Sequence, residues 1–124
     1  MEGFRVLVIN ELRYYREVIS SAVRRFRPNI EVISREPEQL CDDEGLISLK
    51  PDLVICTSAT PPIRAHCFAW VELYPRGEPV AVACIDGHRS TMNEPELDDF
   101  LTIIDRVANE KAVRVGGGLL LGDA

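Results

Sequence analysis

The sequence predicts an α/β fold in three layers, a parallel sheet with helices on both faces. Three observations lead there. Short runs rich in β-branched residues recur at residues 4–9, 51–56 and 80–85. They are apolar almost throughout, as strands covered on both faces are, rather than alternating. Between them the apolar residues fall at helical spacing. With 124 residues, 46% of them apolar, the chain makes one domain whose core needs neither disulfides nor a structural metal.

The first run, Phe4-Arg5-Val6-Leu7-Val8-Ile9, stops at the polar pair Asn10-Glu11. A helix over 11–27 follows: Tyr15, Val18, Ile19, Ala22, Val23 and Phe26 fall three and four apart, with Arg13, Arg16, Glu17, Arg24 and Arg25 opposite them. Pro28 ends it. Residues 30–33 form a second strand and 37–49 a weaker second helix, its period diluted by Asp42-Asp43-Glu44 and Gly45. The third strand, 51–56, ends at Thr57-Ser58-Ala59-Thr60. Pro61-Pro62 opens a third helix, proline being tolerated in the first turn, and that helix is expected to reach Tyr74. Its stripe of Ile63, Cys67, Trp70, Val71 and Tyr74 leaves out Phe68 and Leu73, so it is apolar around more of its girth than a surface helix needs.

After a turn at Arg76-Gly77-Glu78-Pro79, residues 80–85 make a fourth strand. Asn93 caps the last helix, with Glu96 completing a capping box, and Leu97, Phe100, Leu101, Ile104 and Val107 form its buried face as far as Asn109. The intervening residues 86–92 are too few for another helix and strand, although a short fifth strand fits at 89–92. The domain therefore spans 1–110, and 111–124 reads as a C-terminal tail or linker. Its triple glycine, Gly116-Gly117-Gly118, is not a phosphate loop, because no helix start or lysine follows it.

Charge and cysteine content narrow the function. There are 14 Lys+Arg against 20 Asp+Glu, a net −6, and the only lysines are Lys50 and Lys111. An acidic chain has no broad footprint for phosphate backbones, so proteins or small molecules are the expected partners, with no direct nucleic-acid binding. No apolar run reaches the ~20 residues of a membrane span. The start, Met1-Glu2-Gly3-Phe4-Arg5, lacks the basic stretch and apolar core of a signal peptide. A cytoplasmic protein without membrane contact is expected. Cys41, Cys56, Cys67 and Cys84 form no C-x-x-C pair, which argues against zinc-ribbon and thioredoxin chemistry and for packed, reduced thiols. No cofactor, metal or catalytic residue is expected.

In a parallel sheet, function belongs at the carboxyl ends of the strands, here Asn10-Glu11, Thr57-Ser58 and Cys84-Ile85-Asp86. Glu11 and Asp86, with Asn10 and Thr57, could flank a cation, but two carboxylates are few for tight Mg²⁺ binding, and a solvated polar rim is the stronger reading. A redox pair of Cys56 and Cys84 on neighbouring strands is disfavoured, since Thr57 facing the pocket turns Cys56 away. His66-Cys67 on a helix points in two directions and makes no catalytic pair. His88, in the loop after the fourth strand, is the better candidate for a ligand contact, together with Asp86.

At this point the chain, over residues 5–109, resembles a response-regulator receiver domain, the CheY-like phospho-acceptor module of two-component signalling, and particularly the receivers that precede a helix-turn-helix output domain. Lys50-Pro51-Asp52-Leu53-Val54-Ile55-Cys56-Thr57-Ser58-Ala59-Thr60-Pro61 is the most specific piece. The family pattern is proline-aspartate, four apolar residues, the acceptor aspartate, and a proline four residues later. Arg5-Val6-Leu7-Val8-Ile9 before two polar residues, Arg27-Pro28-Asn29-Ile30-Glu31-Val32, and Glu94-Pro95-Glu96-Leu97 look like further pieces of it. The resemblance implies a flavodoxin-like (CheY-like) parallel sheet, strand order 2-1-3-4(-5), with the fourth-helix and fifth-strand region shortened.

The chemistry departs from that family. Receivers use clustered carboxylates to hold Mg²⁺ and attack phosphorus. Here Thr57 stands at the acceptor position, Asn10-Glu11 at the acidic pair, Cys84 at the hydroxyl position and Thr91 near the lysine. These five residues form a degenerate acceptor pocket, and Lys50 and Lys111 lie outside it. What the resemblance then implies is a pseudo-receiver: a signalling interaction module without aspartyl phosphorylation, working through a protein partner or a homodimer, or regulating transcription through an attached or partner DNA-binding domain. Phe68, Trp70 and Tyr74 on the third helix are its expected contact face. The alternative is a flavodoxin-like ligand-binding or enzymatic domain using the polar strand ends, which the lack of a glycine-rich nucleotide loop disfavours.

Overall fold

The computed structural model describes residues 4–40 and 43–123. Their order is β1 (Arg5–Val8), α1 (Arg13–Phe26), β2 (Glu31–Ser34), a 3₁₀ turn at Pro37–Leu40, α2 (Asp43–Leu49), β3 (Leu53–Cys56), α3 (Pro61–His66), β4 (Ala69–Leu73), a 3₁₀ turn at Pro75–Gly77, β5 (Val80–Ile85), β6 (His88–Asn93) and α4 (Leu97–Asp123). The fold is α/β. One six-stranded sheet has the order β2-β1-β3-β4-β5-β6, parallel across its first four strands and antiparallel from β4 to β6.

Strand alternation splits the core in two. Val6 and Val8, Leu53 and Ile55, Ala69, Val71 and Leu73 face α1 and α4, packing with Ile19, Val23, Ile104 and Val107. Leu7 and Ile9, Val54 and Cys56 face α2 and α3, packing with Leu46 and Ile63. Each fully buried aliphatic side chain contributes about 1.5–3 kcal/mol. The apolar continuity of β1 and β3 follows from this two-sided cover.

Several elements differ from the sequence reading. The third helix ends at His66, and the residues expected to complete it, 69–73, are β4. They fit a period of two as well as one of 3.6: Ala69, Val71 and Leu73 enter one core while Trp70 packs against the other. The excess apolar residues around that helix were the sign of a strand covered on both faces. The segment expected as the fourth strand is consequently β5, and it runs antiparallel.

β6 occupies the span where the sequence also fits a short fifth strand, and it closes a hairpin with β5. The two-residue turn is Asp86-Gly87, both at positive φ (49° and 84°). Asp-Gly is the sequence that a tight hairpin of this kind demands. Asn93 belongs to β6 and does not cap the last helix; the Asp99 carboxylate instead accepts the Glu96 N–H at 2.7 Å, the reciprocal arm of a capping box set three residues later.

α4 continues past Asn109 to Asp123, through the stretch expected as a tail. Three glycines cost such a helix about 1 kcal/mol each relative to alanine, set against good helix formers in Glu110-Lys111-Ala112 and Leu119-Leu120-Leu121. The second helix is divided into the 3₁₀ turn and α2, and Cys41 and Asp42 lie outside the described residues. On α1 the buried side is Arg16, Ile19, Ser20 and Val23, leaving Val18 and Phe26 exposed, so the inward face is rotated from the expected stripe.

Arg27, just past α1, grips Asp105 of α4 bidentately at 2.8 and 2.7 Å. That hydrogen bonding and charge hold the Asp105 carboxyl below the usual carboxylate range, outweighing its slight burial. A folded value below the unfolded one of about 3.9 means that the unfolded chain binds more protons, so this contribution is present above that pH and is lost as pH falls through the folded value. Asp105→Asn is expected to flatten the loss of stability below about pH 4, measured by urea unfolding across the acid limb.

Candidate functional site

Because β1, β3 and β4 are parallel, their carboxyl ends share one edge of the sheet. The loop leaving β1 is clamped there from two sides. Thr57 Oγ1, just after β3, accepts the Glu11 N–H at 2.9 Å. Arg16 of α1, itself buried, donates Nη1 to the Asn10 and Glu11 carbonyls at 2.7 and 2.9 Å. From β4 the buried Glu72 carboxylate accepts the Ala59 N–H at 2.8 Å, with the Arg64 guanidinium 3.9 Å away. Both loops are thus fixed by charge-assisted bonds, which are about twice as strong as neutral ones.

Between the loops lies a cavity of about 160 Å³, lined in part by Ile9, Glu11, Cys56, Thr57, Thr60 and Ile63. Asn10 sits beside it in the chain with no exposed surface, and neither its amide oxygen nor its nitrogen has a hydrogen-bond partner among the described residues. A buried unsatisfied group costs about 1–3 kcal/mol, and in native structures such a group calls for a functional or strain explanation.

Of the residues expected in a degenerate acceptor pocket, the structure brings together Asn10, Glu11 and Thr57. Cys84 lies on β5 opposite Trp70, and β4 separates it from β3. Cys56 and Cys84 are therefore not on neighbouring strands, and two strand spacings of roughly 9.6 Å exceed the reach of a disulfide. Thr91 is exposed on β6.

Asp86 and His88 sit at the opposite edge of the sheet, because β5 is antiparallel: Ile85 pairs with Ala69 at the start of β4, and the Asp86 N–H bonds the Phe68 carbonyl at 2.9 Å. The cation site weighed between Glu11 and Asp86 is therefore not assembled. No group of three or more His, Cys, Asp and Glu side chains able to hold a metal ion occurs among the described residues.

The expected contact face of Phe68, Trp70 and Tyr74 is not on a helix. Phe68 and Tyr74 pack against the α1–α4 core and Trp70 against the other, with the Tyr74 ring 5.4 Å from that of Tyr15. Both lysines fall at the edge away from Thr57: Lys50 lies just before β3, and Lys111 pairs with the buried Asp52. Burial pushes the Cys56 thiol well above its usual range, with Glu72 adding to it, and the Cys67 thiol up to about 11. Neither is a thiolate at neutral pH.

Glu72 and Arg16 were not expected in the site. The signal for Glu72 was its place as the only charge between His66 and Arg76. For Arg16 it was spacing, three and seven residues before the buried Ile19 and Val23. Comparison with protein-family models, with curated proteins and with solved structures returns no match to this chain.

Proposed function

We propose that this chain is a receiver-like signalling module of flavodoxin-like fold that acts by protein contact without aspartyl phosphorylation. The observation that carries the reading is Thr57. It stands at the carboxyl end of β3, where the receiver family places its acceptor aspartate, and its hydroxyl oxygen accepts the Glu11 N–H. Pro61, the in-register proline, opens α3. The arrangement of first and last helices on one face of a 2-1-3-4 parallel unit and the middle helices on the other also fits that family.

A hydroxyl is a poor phosphoryl acceptor beside one exposed carboxylate, and neither lysine of the chain reaches this edge to neutralise a phosphoryl group. The module would then be controlled by a protein partner or by self-association in the cytoplasm, as a free adaptor or as the regulatory part of a transcription regulator. No helix of the described residues is long and apolar enough to cross a membrane.

The cavity beside Thr57, about 160 Å³, falls short of the roughly 300–1,000 Å³ of small-molecule sites, while an open cleft of about 320 Å³ beside Arg16 and Ser34 at the same edge leaves the ligand-binding alternative for experiment to decide. Thermal-shift measurement with beryllofluoride and Mg²⁺, nucleotides and flavins separates the readings, because only a bound ligand stabilises by mass action. None is expected to shift the transition. A shift with beryllofluoride would overturn the phosphorylation-independent reading, and a shift with a nucleotide or flavin would favour the alternative.

A further inference from the structure

The sheet has two free edges, and the chain treats them differently. On the β2 edge, Arg24 of α1 donates Nη2 to the Val32 carbonyl at 3.2 Å, blocking an acceptor. The β6 edge is longer, His88-Arg89-Ser90-Thr91-Met92-Asn93, and lies exposed except for the half-buried Met92. It holds no proline, lysine or acid, Arg89 is its one fixed charge, and no covering loop hydrogen-bonds to it among the described residues, so the usual guards against strand addition are few.

The hairpin determines which backbone groups point outward. A two-residue turn makes its flanking residues, Ile85 and His88, a hydrogen-bonded pair, and bonded and non-bonded pairs then alternate. Ser90 and Met92 therefore bond inward to Ala83 and Ala81, and the Glu94 N–H, bonded to the Pro79 carbonyl at 2.8 Å, keeps the same alternation. Arg89, Thr91 and Asn93 consequently aim their N–H and C=O groups away from the sheet. None of these groups has a hydrogen-bond partner among the described residues.

We propose that β6 pairs antiparallel with β6 of a second copy of this chain, about a two-fold axis at Thr91. That register places Thr91 opposite Thr91 and Arg89 opposite Asn93, so all three outward residues of each copy exchange both of their bonds, six in total. Sliding by two residues in either direction, with the outward rows still facing, leaves only four. Charge is compatible with this register and disfavours the slide centred on Ser90, which would set Asp86 opposite the partner's Glu94. Arg89 meets a neutral amide, His88 comes opposite the partner's Glu94, and no like charges face each other. Thr–Thr is a favourable cross-strand pair. The partner is a second copy rather than an arbitrary strand, because in this register the edge meets itself with every outward backbone group bonded, His88 against Glu94 and Arg89 against the neutral Asn93. A single strand pair buries little surface, so the dimer is weak and concentration-dependent.

Sedimentation and cross-linking of the full chain test this. The wild-type protein is expected to associate reversibly, and Thr91→Pro, which removes an outward N–H and no bond within the chain, to associate about tenfold more weakly or worse with an unchanged circular dichroism spectrum. Thr91→Cys is expected to form a disulfide between the two introduced thiols on mild oxidation, since Cα atoms of a bonded antiparallel pair lie about 5.5 Å apart, within disulfide range. Thr102→Cys, at an exposed position on α4, serves as the collision control. If Thr91→Pro fails to fold, the cross-link decides. A wild-type chain that stays monomeric at the highest workable concentration, or a T91C variant that cross-links no faster than T102C, overturns the proposal.

Discussion

Replacing Asn10 by leucine is expected to stabilise the protein by about 1–3 kcal/mol, a rise of several degrees in Tm. Most buried substitutions do the reverse, and the expectation comes from the amide having no hydrogen-bond partner among the described residues. Its residue is fully buried, and neither polar atom of its side chain is bonded by a described residue. Leucine keeps the branched shape and removes the unpaired groups. The loop backbone should not move, because Thr57 and Arg16 hold it through main-chain atoms. Urea unfolding measures the effect. A loss of stability would mean that the amide is satisfied through solvent. A gain with loss of partner binding would mark Asn10 as a residue kept for function at the expense of stability.

Asp52→Ala is expected to cost about 2–3 kcal/mol by the same measurement. Asp52 knots the edge of the sheet opposite the candidate site: Oδ2 accepts the Arg5 N–H at 2.7 Å, Oδ1 takes the Lys111 ammonium, and its own N–H bonds the Arg5 carbonyl at 2.8 Å. Truncation leaves a backbone N–H of β1 and a lysine without their acceptor. The loss stays below the 3–5 kcal/mol of a fully buried broken pair, because Lys111 is more than a third exposed and can turn to water. Asp52→Asn, which keeps an acceptor for Arg5, should recover part of the loss. The Pro51-Asp52 pair that carries the receiver resemblance thus has a structural task in this chain, tying β1, β3 and α4 together.

Legibility in the sequence followed how many constraints each segment satisfied at once. β1 and β3 were readable because two-sided burial leaves an unbroken apolar run with a polar stop, and α1 because Pro28 ends it. β4 was misread because five residues fit a helical and a strand period equally well, and Pro61-Pro62 had already announced a helix. The extra strand decides the site: Val80–Ile85 is the fifth strand and antiparallel, which carries Asp86 and His88 to the far edge and sets Cys84 apart from Cys56. The Asp-Gly turn held the information needed to foresee the hairpin. Asn10, Glu11 and Thr57 were legible because they follow the two correctly read strands. Glu72 was not, because a carboxylate on a supposed helix gives no hint that it will be buried against the Ala59 backbone.

The strand-end site is expected to take no phosphoryl group. Incubation of the full chain with acetyl phosphate and Mg²⁺, followed by intact-mass measurement and peptide mapping, tests it most directly. An unchanged mass is predicted. Added phosphate on a peptide containing Glu11 or Thr57 would show instead that the strand ends are a phosphoryl acceptor site.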